Sequence, residues 1–522
     1  MSSHLTFKLH TPLVIVMFVF ILIACNCNNP FTANVSDPVL LLVTADPNRT
    51  ATPTPFQPIS ASPVNEITVT PEPSLTLPSP TAIFTPLPTL SPPEPTERTK
   101  YDLDVILDYA VHSLSIDETI HYTNLTGEAL ENLVLAVEPN RWINCFELKG
   151  ISLDGVIPDY SLDYHRLEII LPQGLAPGYT VTLSIQYDLS LPPKNFNGVF
   201  GYLGYQINLM DWYPFIVPYT SGQGWILHDP SSLGEFLVYE AADFEVNFRL
   251  VDPSEKLVIA ASAPGESNGE WTSYRFENAR SFTISASKAF RVSTTKVDST
   301  IVKSYYFPGH KRAGKGVSEA VAQAISIYSK RFGPYPYPSL SVVETELPDG
   351  MEADGLFFLG SLFYDEFDGS LQNDLTSIGV HEAAHNWWFG LVGSDQAMEP
   401  WLDEALALYS ERVFYEDASP GLVNWWWNYR VNYYAPTGWV DTNVYNGGSF
   451  RGYTDAVYLR GAEFLEDLRY RIGDDNFFSF LQDYAVLYGH RRATTDDFFN
   501  LLQQHTSVDY SDIVNNYFLH SH

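Results

Sequence analysis

The apolar period of this chain changes once, near residue 300, and that change limits the folds open to it. From 101 to 297, stretches such as "YDLDVILDYAVHSLSIDETIHYTNLTGEAL", "TVTLSIQYDLSLP", "FEVNFRLVDP" and "KLVIAASAPG" alternate apolar and polar residues, with "TNLTGEAL" supplying a turn. A period of two is that of half-buried strands, so this part reads as an antiparallel β domain of sandwich or saddle type. Its expected work is to frame one side of a cleft. From 298 to 522 the period becomes helical: Val317, Val321, Ala324, Ile325 and Tyr328 form one apolar face of a helix ending near Gly333. "RFGPYPYPSLSVVETEL" reads as a turn and a strand, and helical segments dominate from 373 onward. The expected fold is multidomain, β followed by a mostly α-helical α/β domain, with no repeat that would suggest a solenoid.

Before 101 the chain has a different character. Lys8 and His10 precede "PLVIVMFVFILIAC", an apolar run short for a membrane span but suited to a signal peptide. It ends in Leu22-Ile23-Ala24-Cys25, which resembles a bacterial lipobox, so residues 1–25 read as a signal peptide and Cys25 as the lipidated residue. Residues 26–100 are rich in Pro, Thr and Ser and read as a disordered tether. Its roughly 70 residues would reach about 200 Å as extended polyproline II. The expected location is exported and lipid-anchored, at the cell surface or the outer side of the cytoplasmic membrane. With 62 acidic against 29 basic side chains, the net charge of −33 argues against nucleic acid as a partner. Cys145 is the one cysteine beyond the first 27 residues, which excludes a disulfide framework and suggests a buried thiol.

Chemistry concentrates in "VHEAAHNWWFGLVGSDQAMEPWLDEALALYSE" (380–411). On a helix, His381 and His385 stand one turn apart on one face, so both imidazoles can reach one ion. Zn²⁺ suits imidazole nitrogen, and a catalytic site takes three protein ligands and keeps one position open. Glu382, beside the first histidine, can accept a proton from water without ligating the metal. Glu404 follows His385 by nineteen positions, on an apparent next helix, and can supply the third ligand from the opposite side. Trp387, Trp388 and Phe389 are most simply core. Trp425, Trp426, Trp427 and Trp439 could line a cleft wall, but packing is the simpler reading.

His381-Glu382-x-x-His385 with Glu404 resembles the gluzincin pattern of the aminopeptidase N family. "PDGMEADG" (348–355) resembles that family's Gly-x-Met-Glu-Asn exopeptidase motif, and "RFGPYPYPSLSVV" the run leading into it. "DAVYLRGAEFLEDLRYRIGDDNF" resembles its Tyr-x-Lys-Gly helix. The resemblance covers most of 310–500 and implies a thermolysin-like catalytic domain. It implies one Zn²⁺ per chain held by His381, His385 and Glu404, with Glu382 as general base. Glu352 would hold the free α-amine of a peptide substrate, Met351 and Gly350 would line the first specificity subsite, and Tyr458 would donate to the oxyanion. The 64 residues after Tyr458 (522 − 458) are too few for the large C-terminal helical domain of many relatives, so a more open cleft is expected.

The departures fall beside these residues. Ala353 replaces the motif asparagine, leaving Glu352 less supported, and Asp354 either reinforces an anionic pocket or caps a turn. Around the third ligand, Asp403 and Ala405 replace the usual asparagine and glycine. Asp403 either backs a ligand or lies on a helix surface. Three functions remain open: a zinc aminopeptidase cutting N-terminal residues from peptides, a zinc endopeptidase with an open cleft, and an inactive lipid-tethered binding protein.

Overall fold

The computed structural model describes residues 98–195 and 197–522. Cys25, the signal peptide and nearly all of the tether lie outside the described residues. A seven-stranded sheet runs in the order Gly265–Asn268, Trp271–Ala279, Ala242–Leu250, Lys100–Asp108, Ser113–Thr123, Thr180–Ser190 and Phe146–Leu153. The alternation seen in the sequence is the burial pattern: Tyr101, Leu103, Val105 and Leu107 point into the core, while their neighbours are partly or fully exposed. One pairing departs from the antiparallel expectation. Lys100–Asp108 runs parallel to Ala242–Leu250, because the chain builds further sheets before returning along the far side of its first strand. Two four-stranded sheets and a two-stranded ribbon (Tyr219–Thr220 with Gly224–Trp225) complete this β-rich half, and Cys145 is buried there, its thiol pushed up to about 12 by burial.

The second half opens with a five-stranded sheet in the order Arg291–Val297, Thr300–Tyr306, Ser339–Thr345, Leu356–Gly360 and Gly350–Met351. Helix α1 (Lys311–Arg331) packs on this sheet through Val317, Val321 and Ile325. A short α2 (Ser361–Asp365) leads to α3 (Asp374–Ala384), which is followed by α4 (Trp401–Ala418). Further helices from Arg460 to Tyr517 pack around α4. Trp387 and Trp388 are fully in this core, their indole N–H groups donating to Gly333 O at 2.9 Å and Ser410 Oγ at 3.0 Å.

Asp354 and Arg280 join the two halves. Asp354 is fully buried and accepts Tyr337 Oη–H at 2.5 Å and the backbone N–H of Ser281 at 2.9 Å. The Arg280 guanidinium spends its donors on the carbonyls of Tyr239, Phe389 and Arg491. Asp354 therefore neither lines an anionic pocket nor caps a turn. It ties the loop carrying Glu352 to the β-rich half.

Candidate metal centre and active site

Helix α3 begins at an Asn373 cap, whose side chain accepts Thr376 N–H at 2.9 Å. It ends as His385 takes the C-cap, so His381 and His385 occupy its final turn. Their ring centroids are 4.8 Å apart. Helix α4 brings Glu404 in its first turn opposite them, with Oε2 3.4 Å from His381 Nε2 and 3.6 Å from His385 Nε2. That oxygen is buried and has no hydrogen-bond partner. An orphaned carboxylate oxygen facing two imidazole nitrogens is a costly arrangement unless a cation sits among them. Two imidazoles and one carboxylate are also the donor set of a catalytic zinc site, so the residues fit the metal that the sequence suggested.

Each imidazole has a carboxylate behind it. His385 Nδ1 donates to Asp403 Oδ1 at 2.6 Å, and Asp403 is buried, not on a helix surface. Glu411 Oε1 lies 3.1 Å from His381 Nδ1, off the line of a good hydrogen bond. Glu411 is fixed in turn by Arg430, at 2.9 and 2.8 Å, and by Trp426 Nε1 at 2.8 Å. Such partners leave Nε2 of each ring free for a metal. Burial opposes ionisation of Glu404, but His381 and His385 outweigh it and hold its carboxyl below the usual range.

Glu382 is buried on the same turn, and burial pushes its carboxyl well above the ordinary range despite the nearby imidazoles. Gly350, on the sheet edge, approaches so closely that a Cβ there would overlap Glu382 Oε1. Met351 follows on the same edge strand, antiparallel to Leu356–Gly360. Glu352, His385 and Glu404 offer ligand atoms within 4.8 Å of one another. Gln396 Nε2 joins Glu352 (3.3 Å) to Asp403 (2.7 Å), giving Glu352 a support where Ala353 offers none. Tyr458 stands in a π-helical turn (Asp455–Leu459), its ring parallel to that of His381 at 6.3 Å. Burial, and then Glu404, push its phenol well up, so it stays a proton donor. Ala405 packs on Gly461, where a Cβ would collide with it, so the larger residue on α4 is matched by a smaller one across the helix pair.

The β-rich half contributes Glu235, which nothing in the sequence singled out. Gly234 presses against Tyr453, whose hydroxyl would stand 2.6 Å from a Cβ there. The adjacent Glu235 carboxyl is pushed well up by burial and by the charges of Glu352 and Glu404. Glu411 had one available signal: it follows Glu404 by seven positions, two turns along the same face.

The comparisons agree with this arrangement. A family model described as "Peptidase family M1 domain" matches residues 317–517. Rice aminopeptidase M1-B is 24% identical over 235 residues, 42% of this chain and 27% of that protein. Mouse endoplasmic reticulum aminopeptidase 1 is 26% identical over 242 residues, again 42% of this chain and 26% of that protein. The chain thus spans about a quarter of the length of these relatives. Among solved structures, the M1 zinc metallopeptidase of Deinococcus radiodurans superposes with a TM-score of 0.58 at 18% identity, covering 80% of this chain and 92% of that one. A variant of it bound to a Tyr-Ser-Ala substrate gives 0.57 over 80% and 93%. The fold is therefore that of the two-domain M1 metallopeptidases, and residues 317–517 match the peptidase family M1 domain, in agreement with the resemblance to the aminopeptidase N family of gluzincins.

Proposed function

We propose that this protein is a zinc-dependent aminopeptidase that removes N-terminal residues from peptides. His381, His385 and Glu404 would hold one zinc ion. Bound there, zinc would polarise the carbonyl of the bond to be cut and acidify the attacking water. Glu382 takes the proton from that water and passes it to the departing amine. Tyr458 donates a hydrogen bond to the carbonyl oxygen as it gains charge. Gly350 and Met351 form the wall beside the first side chain.

The observation that carries the reading is Glu352. It is a buried carboxylate beside His385 and Glu404, with no lysine or arginine paired to it among the described residues. A substrate ammonium would complete this site, and the charges of Glu352 and Glu404 are felt by the Glu235 carboxyl of the other half. The lipobox at Cys25 and the tether that follows support a head held by a lipid anchor outside the membrane. The test is hydrolysis of aminoacyl-arylamides before chelation, after chelation and after zinc is restored. Activity should vanish and return, and Glu382→Ala should lack it while binding zinc. Chelator-resistant hydrolysis would contradict the reading.

A further inference from the structure

Sixteen residues of the β-rich half, 226–241, form neither helix nor strand between Gly224–Trp225 and Ala242–Leu250. A loop that long without structure of its own is uncommon in a compact domain outside functional segments. Its course is fixed by the other half of the molecule. His228 Nε2 lies 2.9 Å from both carboxylate oxygens of Asp395, so that nitrogen carries the proton and donates. The two side chains are 21% and 17% exposed, which shields the pair from the screening that leaves surface pairs weak. Tyr445 Oη donates to the Asp229 carbonyl at 2.6 Å, and Ser231 Oγ to the Val444 carbonyl at 3.3 Å. Leu233 packs on the core around α4, and Gly234 presses on Tyr453.

The far end of this clasp is the turn before α4. Asp395 holds His228 and caps its own turn by accepting Met398 N–H at 3.1 Å. Gln396, next in the chain, donates to Glu352 and to Asp403, and Asp403 accepts from His385. The Ala397 carbonyl accepts Val444 N–H at 3.0 Å, which fixes the loop that also holds Asp229 and Ser231. Three consecutive residues thus tie a strap from the β-rich half to Glu352 in the helical half. Resting on the aminopeptidase reading above, we propose that His228 and Asp395 are positioning residues for the amine site. Their bond clasps the strap to the turn that carries Gln396, and so keeps Glu352 and the strap beside Tyr453 in register for a substrate ammonium.

The test compares kcat and KM for an aminoacyl-arylamide in the full zinc-loaded protein. His228→Ala should raise KM roughly tenfold and leave kcat within about threefold, with zinc affinity unchanged. Asp395→Ser keeps a cap for Met398 N–H but cannot reach His228, and should do the same. His228→Gln, whose amide can donate from the same place, should restore most of KM. The double variant His228→Ala with Asp395→Ser should be no worse than either alone. KM does not depend on how much protein is folded, so lost stability by itself would move only kcat. An unchanged KM in His228→Ala, a fall confined to kcat, or additive losses in the double variant would overturn the inference. If wild type cuts no arylamide, the aminopeptidase reading fails. Calorimetric binding of leucine amide then decides the clasp by itself, and equal affinity, or no binding, in wild type and His228→Ala would overturn it.

Discussion

Nδ1 of His385 donates to Oδ1 of Asp403 across 2.6 Å, from the last turn of α3 to the first turn of α4. This bond fixes the tautomer of His385 and turns Nε2 toward Glu404. Asp403 also accepts from Gln396, the residue that reaches Glu352, so one carboxylate orders both His385, a proposed metal ligand, and Glu352, the proposed amine site.

Asp403→Ala should therefore weaken zinc binding by roughly ten- to a hundredfold, with Asp403→Asn between the two. Competition with a chromophoric chelator measures this. Unchanged affinity in the alanine variant would show that His385 needs no such support.

Zinc binding should also release protons. In the metal-free protein burial works against a charged His381, but Glu404 and Glu411 raise it to about 9. His385 is likewise raised, by Asp403 and Glu352 against the same burial. Because both folded values lie above the ordinary imidazole value, these groups stabilise the metal-free fold fully below about pH 6.5. That contribution is lost as pH rises through 9 for His381. At pH 7.5 both rings carry protons that a metal must displace, so titrations in buffers of different ionisation enthalpy should count about two released. A count near zero would contradict this electrostatic account.

Gly350 tests the placing of the base. A methyl group there would overlap Glu382, so Gly350→Ala should lower kcat/KM by roughly a hundredfold or more while zinc stays bound. Activity within twofold of wild type would mean that Glu382 has room to move and that the tight approach does not matter.

The parts of the site legible in the sequence were those written in local spacing. His381, Glu382 and His385 share a helix turn, and Glu404 opens the next long helix, so pattern alone brought them together. Asp403 was legible as a position but not as a role, because helix periodicity does not tell which face meets a neighbour. Gln396 and Glu235 could not be read: each reaches the site from a loop, and only tertiary packing, such as Gly234 against Tyr453, puts it there. The parallel pairing of Lys100–Asp108 with Ala242–Leu250 was hidden for a related reason. Alternation reports which face a strand buries and not the direction of its partner.

The central claim is that Glu352 reads a free amine beside a zinc centre. The most direct measurement compares hydrolysis of an aminoacyl-arylamide with its N-acetylated form, in wild type and in Glu352→Ala. Wild type should cut the free amine at least a hundredfold faster, the variant should lose most of that ratio, and both should bind zinc equally. Equal cleavage of the acetylated substrate by the wild type, or zinc lost from the variant, would contradict the account.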